Sequence, residues 1–368
     1  MSNTYYVDVA VGDDANAGTS EGEGNAWETL AKAADTVVAG DKVYVKASGT
    51  YETEDGSNDC CAYLETAGND ESPIVWEGYA STPGDGGIVT INADPTGDQF
   101  SYCIKVDTGV SSLFNVFKNF VFTGSSSAAV YAGGMSDYLY FYNCRFTNND
   151  GDGSYLDNYN VFLNCMFDNN DEGMNADANN TFIGCTAFGN SKNGFSLDTY
   201  FNVFIHCLAF GNTANYSNFT AQDRSVFVNC TTDGENELLN GILQSDSTSS
   251  VIHVVNSILY DNATGVGNYG DQCEIGIGFF NLYNSNLVDV DQFMPVSAGD
   301  GVGDRGDVSS SQTEGQLFVD ASNAAALDRD YTPASGSDAI GAGMDASFCM
   351  KFWHSWDPDH GNSNPPSV

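Results

Sequence analysis

Basic residues are scarce: the chain carries 11 Lys and Arg against 50 Asp and Glu over 368 residues, a formal net charge of −39. Overall charge of that size and sign repels nucleic acid, anionic lipid and acidic polysaccharide, so the expectation from charge alone rules out unaided binding to any of them. Proline is also scarce, with 8 against 40 glycines. No apolar run approaches the roughly 18 residues of a membrane-spanning helix. The opening MSNTYYVDVAVGDD has neither a basic n-region nor an apolar h-region, so no export signal is expected. Long helical patterns are missing too. In their place stand short apolar runs between clusters of Asn, Asp and Gly, the pattern of many strands and tight turns. At 41% hydrophobic and 12% aromatic, the chain is nevertheless too apolar to remain disordered.

Ten cysteines in 368 residues are an ordinary density, and their even number decides nothing. Their placement is informative. After Cys144 come Cys165, Cys185, Cys207 and Cys230, at separations of 21, 20, 22 and 23, within the segments FYNCRF, FLNCMF, FIGCTAF, FIHCLAF and FVNCTT. The register continues through Val255-Asn256-Ser257 and Tyr283-Asn284-Ser285. Two places before the Asn position stand Phe141, Phe162, Phe182, Phe204 and Phe227, then Val254 and Leu282, with Phe117 before Asn119 as an earlier rung. A period of this length built from β-type runs is the signature of a solenoid. The Leu-x-x-Leu-x-Leu spacing of leucine-rich repeats is missing, which leaves a parallel β-helix.

Coils in register stack about 4.8 Å apart, so each inward position becomes a column of like side chains. Flat rings and small thiols suit such columns, and the cysteines are expected to be buried free thiols rather than strained bridges. Asn143, Asn164, Asn229, Asn256 and Asn284 fall where the strand must bend, because Asn tolerates left-handed backbone and its amide can bond to the coil above. Gly184 and His206 replace Asn in two coils, and His206 is expected to be structural. Cys60 and Cys61 read as either an exposed thiol pair or the edge of the core.

The N-terminal 50 residues read as a strand, a Gly/Asp turn, a short helix and another strand. Trp27, Leu30, Ala31, Ala34 and Val38 have helical spacing, with Gly40 at the stop. An open solenoid end exposes apolar interior, so this helix is expected to cap it. This opening is similar to that of pectin-lyase-like right-handed parallel β-helix proteins. The stretch Leu327-Asp328-Arg329-Asp330-Tyr331 through Pro333, Ser337, Ala339, Ile340 and Gly343 resembles the closing element of that superfamily. The fold expected is therefore all-β: a single right-handed parallel β-helix, with its cap and first strands in 1–50, its coils and irregular closing region in 51–345, and a tail at 346–368. The run from Met1 to Ser20 also resembles β-helix virion proteins of tailed phages of marine bacteria. That resemblance implies a capsid decoration protein or appendage, made in the host cytoplasm and displayed on the virion surface, with capsid or tail proteins as partners.

Superfamily enzymes are mainly lyases and hydrolases. Lyases use Lys or Arg as base, commonly with calcium. Arg145, Lys192 and Arg224 are the candidates on this pattern, but their scatter is also what chance gives. The aspartate motifs of polygalacturonase-like hydrolases are not matched, since Asp13-Asp14 lies in the cap and His360-Gly361 in the tail. No catalytic residue is therefore assigned from the sequence. Stacking would set the oxygen-rich turn Asn148, Asn149, Asp150 and Asp152 beside Asp168, Asn170, Asp171 and Glu172. Asp150, Asp152, Asp171 and Glu172 are the calcium candidates, with a solvated acidic surface as the alternative. His354, Asp357 and His360 lack any fixed geometry for a metal.

Both faces of the rung strands are apolar. Opposite the Phe column lie Tyr142, Leu163, Ile183, Ile205, Val228, Val255 and Tyr283, backed by Tyr140, Val161, Val203 and Val226. A stripe this long needs a cover, either a neighbouring subunit, a particle surface, or the chain's own residues 286 to 345. Trp353 and Trp356 in the tail are further interface candidates. The reading preferred from sequence is a non-enzymatic virion-surface module that associates with itself or with virion proteins, and possible contact with host glycans is part of it. The alternatives are a secreted polysaccharide lyase or glycoside hydrolase and a glycan-binding bacterial adhesin using tyrosines such as Tyr138, Tyr140 and Tyr142.

Overall fold

The computed structural model describes residues 2–244 with short interruptions and, beyond them, mainly the strands up to Pro333 and a few residues as far as 337. Three parallel sheets form the walls of a right-handed β-helix, with 11, 11 and 10 strands among the described residues. Each coil contributes one strand to each wall in turn. The coil around Cys144 supplies Leu139–Tyr142 to the first sheet, Arg145–Thr147 to the second and Asp152–Leu156 to the third.

The interior is built from the columns that the periodicity requires. On the first sheet, Phe141 pairs in register with Phe117 and Phe162, and Phe182, Phe204 and Phe227 continue the column. Successive rings from Phe117 to Phe227 stack at centroid distances of 5.4, 5.0, 5.1, 4.7 and 4.9 Å. Burying each ring contributes on the order of 2–3 kcal/mol, and ring–ring geometry adds about 0.5–1.5 kcal/mol. The other two walls trade volume against each other. Where the second sheet shrinks from Phe167 to Ala187, the third grows from Met174 to Phe195, whose ring meets Phe182 edge-on at 5.5 Å. Constant cross-section is thereby kept, as close packing demands.

Asn119, Asn143, Asn164, Gly184, His206 and Asn229 all have φ between +52° and +65° at the bend between the first and second sheets. His206 therefore serves the backbone, and its Nε2 lies 3.4 Å from the Asn229 amide. Each cysteine of the column from Cys144 to Cys230 is buried as a free thiol and donates to the carbonyl of the Phe one coil earlier. Cys60 and Cys61 are both buried, so they belong to the core rather than to an exposed pair. Burial pushes the Cys60 thiol up to about 12 and the Cys61 thiol higher still, which leaves both unreactive.

Several expectations from the sequence are revised. The capping helix is only Leu30–Ala34, with Thr29 as N-cap accepting from the Lys32 N–H. Trp27 lies before it in a bridge to Val7, and Val38 is 54% exposed while Val37 is buried. The helix starts late because the Asp14 carboxylate accepts from the Glu28 and Thr29 N–H groups and holds that stretch extended. Tyr283 does not continue the stripe of Tyr142 and Val255. Its strand, Leu282–Asn284, lies in the second sheet opposite Ile258–Tyr260, and the glycine-rich strand Glu274–Phe279 takes the first-sheet place beside Val255. The Tyr-Asn-Ser triplet imitates a rung one wall out of phase.

Part of the closing region forms a hairpin of Phe318–Asp320 with Asp330–Pro333. It covers the second sheet, not the apolar stripe of the first. Phe318 and Tyr331 pack with Phe188, Phe210 and Tyr260, and the Tyr331 hydroxyl donates to Asp233 Oδ2 at 2.9 Å.

Candidate functional site

The outer face of the third sheet carries a column unlike either neighbour. Its pairing runs Tyr63, Lys105, Tyr131, Tyr155, Asn175, Ser196 and Thr220, one residue per coil. Side chains at alternate strand positions share a face, so the seven form one column along the helix axis, open to the surface from Tyr63 to Asn175 and buried at Ser196 and Thr220. Its first half is aromatic and cationic and its second half consists of amide and hydroxyl groups.

A second row flanks the polar half. Gly153, Gly173 and Gly194 stack so closely that a Cβ on Gly153 would lie 2.2 Å from the Gly173 carbonyl oxygen, and one on Gly173 would lie 2.3 Å from that of Gly194. Only glycine fits, and the residues just before each are thereby lined up on consecutive coils: Asp152, Glu172 and Asn193. One place earlier on two of those coils stand Asp171 and Lys192, joined by an ion pair of 2.6 Å. Glu172 accepts from the Asn175 amide at 3.2 Å and from the Asn193 amide at 3.4 Å. Asn193 also reaches Ser196 Oγ at 3.5 Å. Burial raises the Asp152 carboxyl to about 6, against hydrogen bonds from the Glu172 backbone and the Asn175 amide and the opposing charge of Lys192. The hydrogen bond to Asp171 raises the Lys192 ammonium above its ordinary value.

Of the four calcium candidates, Asp152, Asp171 and Glu172 thus lie together, whereas Asp150 accepts from Gln99 at 3.2 Å. Among the described residues no three carboxylate, histidine or cysteine side chains converge as a metal requires. The donor set does not fit calcium as it stands. Asn149 and Asn170 are consumed inside the coil. Asn149 donates to Asn170, Asn170 to Asn190 and Asn190 to Asn212, at 2.8 to 3.2 Å, in a buried ladder. Asp168 is buried and bidentate to Arg145, at 2.7 and 2.8 Å, with the Thr147 hydroxyl donating to it at 2.7 Å.

The three cations considered as bases do not converge. Arg145 is locked to Asp168 on the second sheet, and Arg224 lies against the Phe201 ring at 5.1 Å beside Asp223, in a turn before the first sheet. Only Lys192 stands in the carboxylate cluster. On the first sheet, Tyr142, Leu163, Ile183, Ile205, Val228 and Val255 form one outward column in register, half-buried where their side chains are described. Tyr138 stacks between Phe114 and Tyr159 at 4.4 and 5.2 Å. Trp353 and Trp356 lie outside the described residues. The third-sheet strip was not singled out from sequence, although the repeated Asp-Gly, Glu-Gly and Asn-Gly at Asp152, Glu172 and Asn193 marks its edge.

No protein-family model matches the chain, and no curated protein is detectably similar to it in sequence. Solved structures are similar. Pectate lyase Pel9A matches at 19% identity over 92% of this chain and 90% of its own, with a TM-score of 0.63. A rhamnogalacturonan lyase matches at 16% identity over 95% and 98%, with a TM-score of 0.61. An alginate lyase from Paenibacillus sp. str. FPU-7 matches at 13% identity over 71% and 94%, with a TM-score of 0.55. Three-walled coils, stacked interior columns and these likenesses together show that the chain has the right-handed parallel β-helix fold.

Proposed function

We propose that the protein is a polysaccharide lyase that binds its polymer along the outer face of the third sheet and cleaves it beside Asp152 and Lys192. The observation that carries this reading is the alignment of Asp152, Asp171, Glu172 and Lys192 on consecutive coils at the edge of the strip. The structural likeness to three polysaccharide lyases supports it at the level of fold. Eliminative cleavage takes the proton from the ring carbon next to a uronate carboxyl, forms a C=C bond and expels the glycosidic oxygen. Asp152 accepts that proton, because a carboxylate raised to about 6 is a stronger base than an ordinary one yet still ionised at neutral pH. The Lys192 ammonium faces the substrate carboxylate and disperses the charge that builds beside it. Water protonates the departing oxygen.

The test is release of unsaturated uronate, read by its ultraviolet absorbance, from polygalacturonate, rhamnogalacturonan and alginate. The rate on at least one of them is expected to rise through about pH 6 as Asp152 ionises. Asp152→Asn should lower it by about 10²-fold or more, the usual contribution of a general base. New reducing ends without unsaturation would replace elimination by glycoside hydrolysis, and no cleavage of any polymer would overturn the enzymatic reading.

A second reading is favoured by the first-sheet column from Tyr142 to Val255. Its six positions carry no acidic residue, in a chain with 50 acids. In that reading the column packs on a virion surface or a second copy, and the protein is a structural module without turnover. Cleavage in solution would decide against it.

A further inference from the structure

Five cations are matched with carboxylates: Lys42 with Glu77, Lys46 with Asp8, Arg145 with Asp168, Lys192 with Asp171 and Arg224 with Asp223. Lys105, second of the seven positions in the third-sheet column, has no carboxylate within 4.0 Å among the described residues. Its ammonium donates to the Asn58 carbonyl at 3.4 Å and lies 5.8 and 5.4 Å from the ring centroids of Tyr63 and Tyr102. Lys118, 5.7 Å from the Tyr142 ring centroid, is likewise without a carboxylate among the described residues, but of the two only Lys105 adjoins a row of rings that continues over further coils, and that row is what fits it to an outside anion.

The rings continue from it along the axis. Tyr102 lies 4.9 Å from Tyr131, and Tyr131 stacks on Tyr155 at 5.5 Å. Tyr155, 41% exposed, ends the row against Asn175 at the polar half of the strip. This row presents ring edges and phenol hydroxyls once per coil, about every 4.8 Å, a repeat close to the length of one pyranose unit. Four coils separate Lys105 from Lys192, about 19 Å at that spacing.

We propose that Tyr63, Tyr102, Lys105, Tyr131 and Tyr155 form a second subsite that holds an anionic polysaccharide lengthwise, with Lys105 pairing to one of its carboxylates. The inference rests on the reading that the third sheet takes an acidic polysaccharide, and it adds a binding subsite away from the carboxylate cluster and the group there that reads the polymer's charge. The net charge of −39 does not forbid it. A charge more than about 8 Å away is largely screened at physiological salt, while a contact pair near the surface is worth several times more.

The experiment is native affinity electrophoresis of the full chain in gels containing polygalacturonate, alginate or, as a neutral control, hydroxyethyl cellulose. Retardation by at least one acidic polymer and not by the neutral one is expected. Lys105→Ala should weaken it about tenfold or more, the scale of one charge-assisted hydrogen bond, and Tyr155→Ala should weaken it measurably through loss of the ring's contact surface. Lys105→Arg and Tyr155→Phe should restore most of it. Lys118→Ala removes the same charge from the first sheet and should change nothing. Equal retardation of wild type and Lys105→Ala, equal retention by the neutral gel, or no retention at all would overturn the inference. Because no turnover is needed, retention that depends on Lys105 without any cleavage would sink the lyase reading and leave this subsite standing.

Discussion

Asparagine does two different jobs in this chain, and only one was legible in the sequence. The Asn of the repeated Phe-x-Asn-Cys run was expected at a bend, and Asn143 and Asn164 have φ of +52° there. Asn149 and Asn170, which the sequence places in an oxygen-rich turn because the letters Asn and Asp look alike to a composition argument, belong instead with Asn190 and Asn212 to a buried ladder. Depth separates them: each buried amide satisfies the next coil's, and an unmet partner there costs about 1–3 kcal/mol. Asp152 lies between the two cases. Its folded pKa of about 6 exceeds the ordinary carboxylate value, so the folded state holds that proton more tightly than the unfolded chain does. The resulting stability is fully present below about pH 4 and is lost as pH rises through about 6. Denaturant midpoints of wild type and Asp152→Asn, compared from pH 4 to pH 7, should therefore diverge in favour of the variant and level off above pH 6. A pH-independent difference would mean that Asp152 is not perturbed.

At the scale of elements, strands were readable wherever the repeat was dense, from Leu139–Tyr142 to Val226–Val228. The phase was lost where glycine diluted the pattern. Ile275, Gly276, Ile277 and Gly278 alternate as a strand should but lack the Phe and Asn that mark a rung, so the next Tyr-Asn-Ser was assigned to the wrong wall. The hairpin of Phe318–Asp320 and Asp330–Pro333 escaped for another reason: a cover is defined by the face it meets, and that face, Phe188, Phe210 and Tyr260, comes from coils 58 residues or more earlier. Tyr331 anchors it, with ring centroids 5.1 Å from Phe210 and 5.2 Å from Phe318. Tyr331→Ala should loosen the hairpin at a cost of about 3 kcal/mol and increase binding of an apolar dye to the uncovered second sheet. Unchanged dye binding would show that the hairpin is held elsewhere.

For the molecule as a whole, the β-helix followed from one period, while the candidate site did not, because a site on a solenoid is a column and belongs to no local motif. Tyr63, Lys105, Tyr131 and Tyr155 are separated by 42, 26 and 24 residues, intervals set by loops of unequal length. Only pairing register shows that they adjoin. The three outer faces then divide the work: the second is covered at Phe188, Phe210 and Tyr260 by the chain's own hairpin, the first carries an apolar column from Tyr142 to Val255, and the third offers aligned phenols, amides, carboxylates and two lysines. The central claim is that polymer lies along that third face. Its most direct test is a crystal structure of the Asp152→Asn protein soaked with an oligogalacturonate or oligoalginate of five or more units. Saccharide density running parallel to the helix axis from Lys105 towards Lys192 is the predicted result, and density seated on the first sheet, or crossing the axis elsewhere, would contradict it.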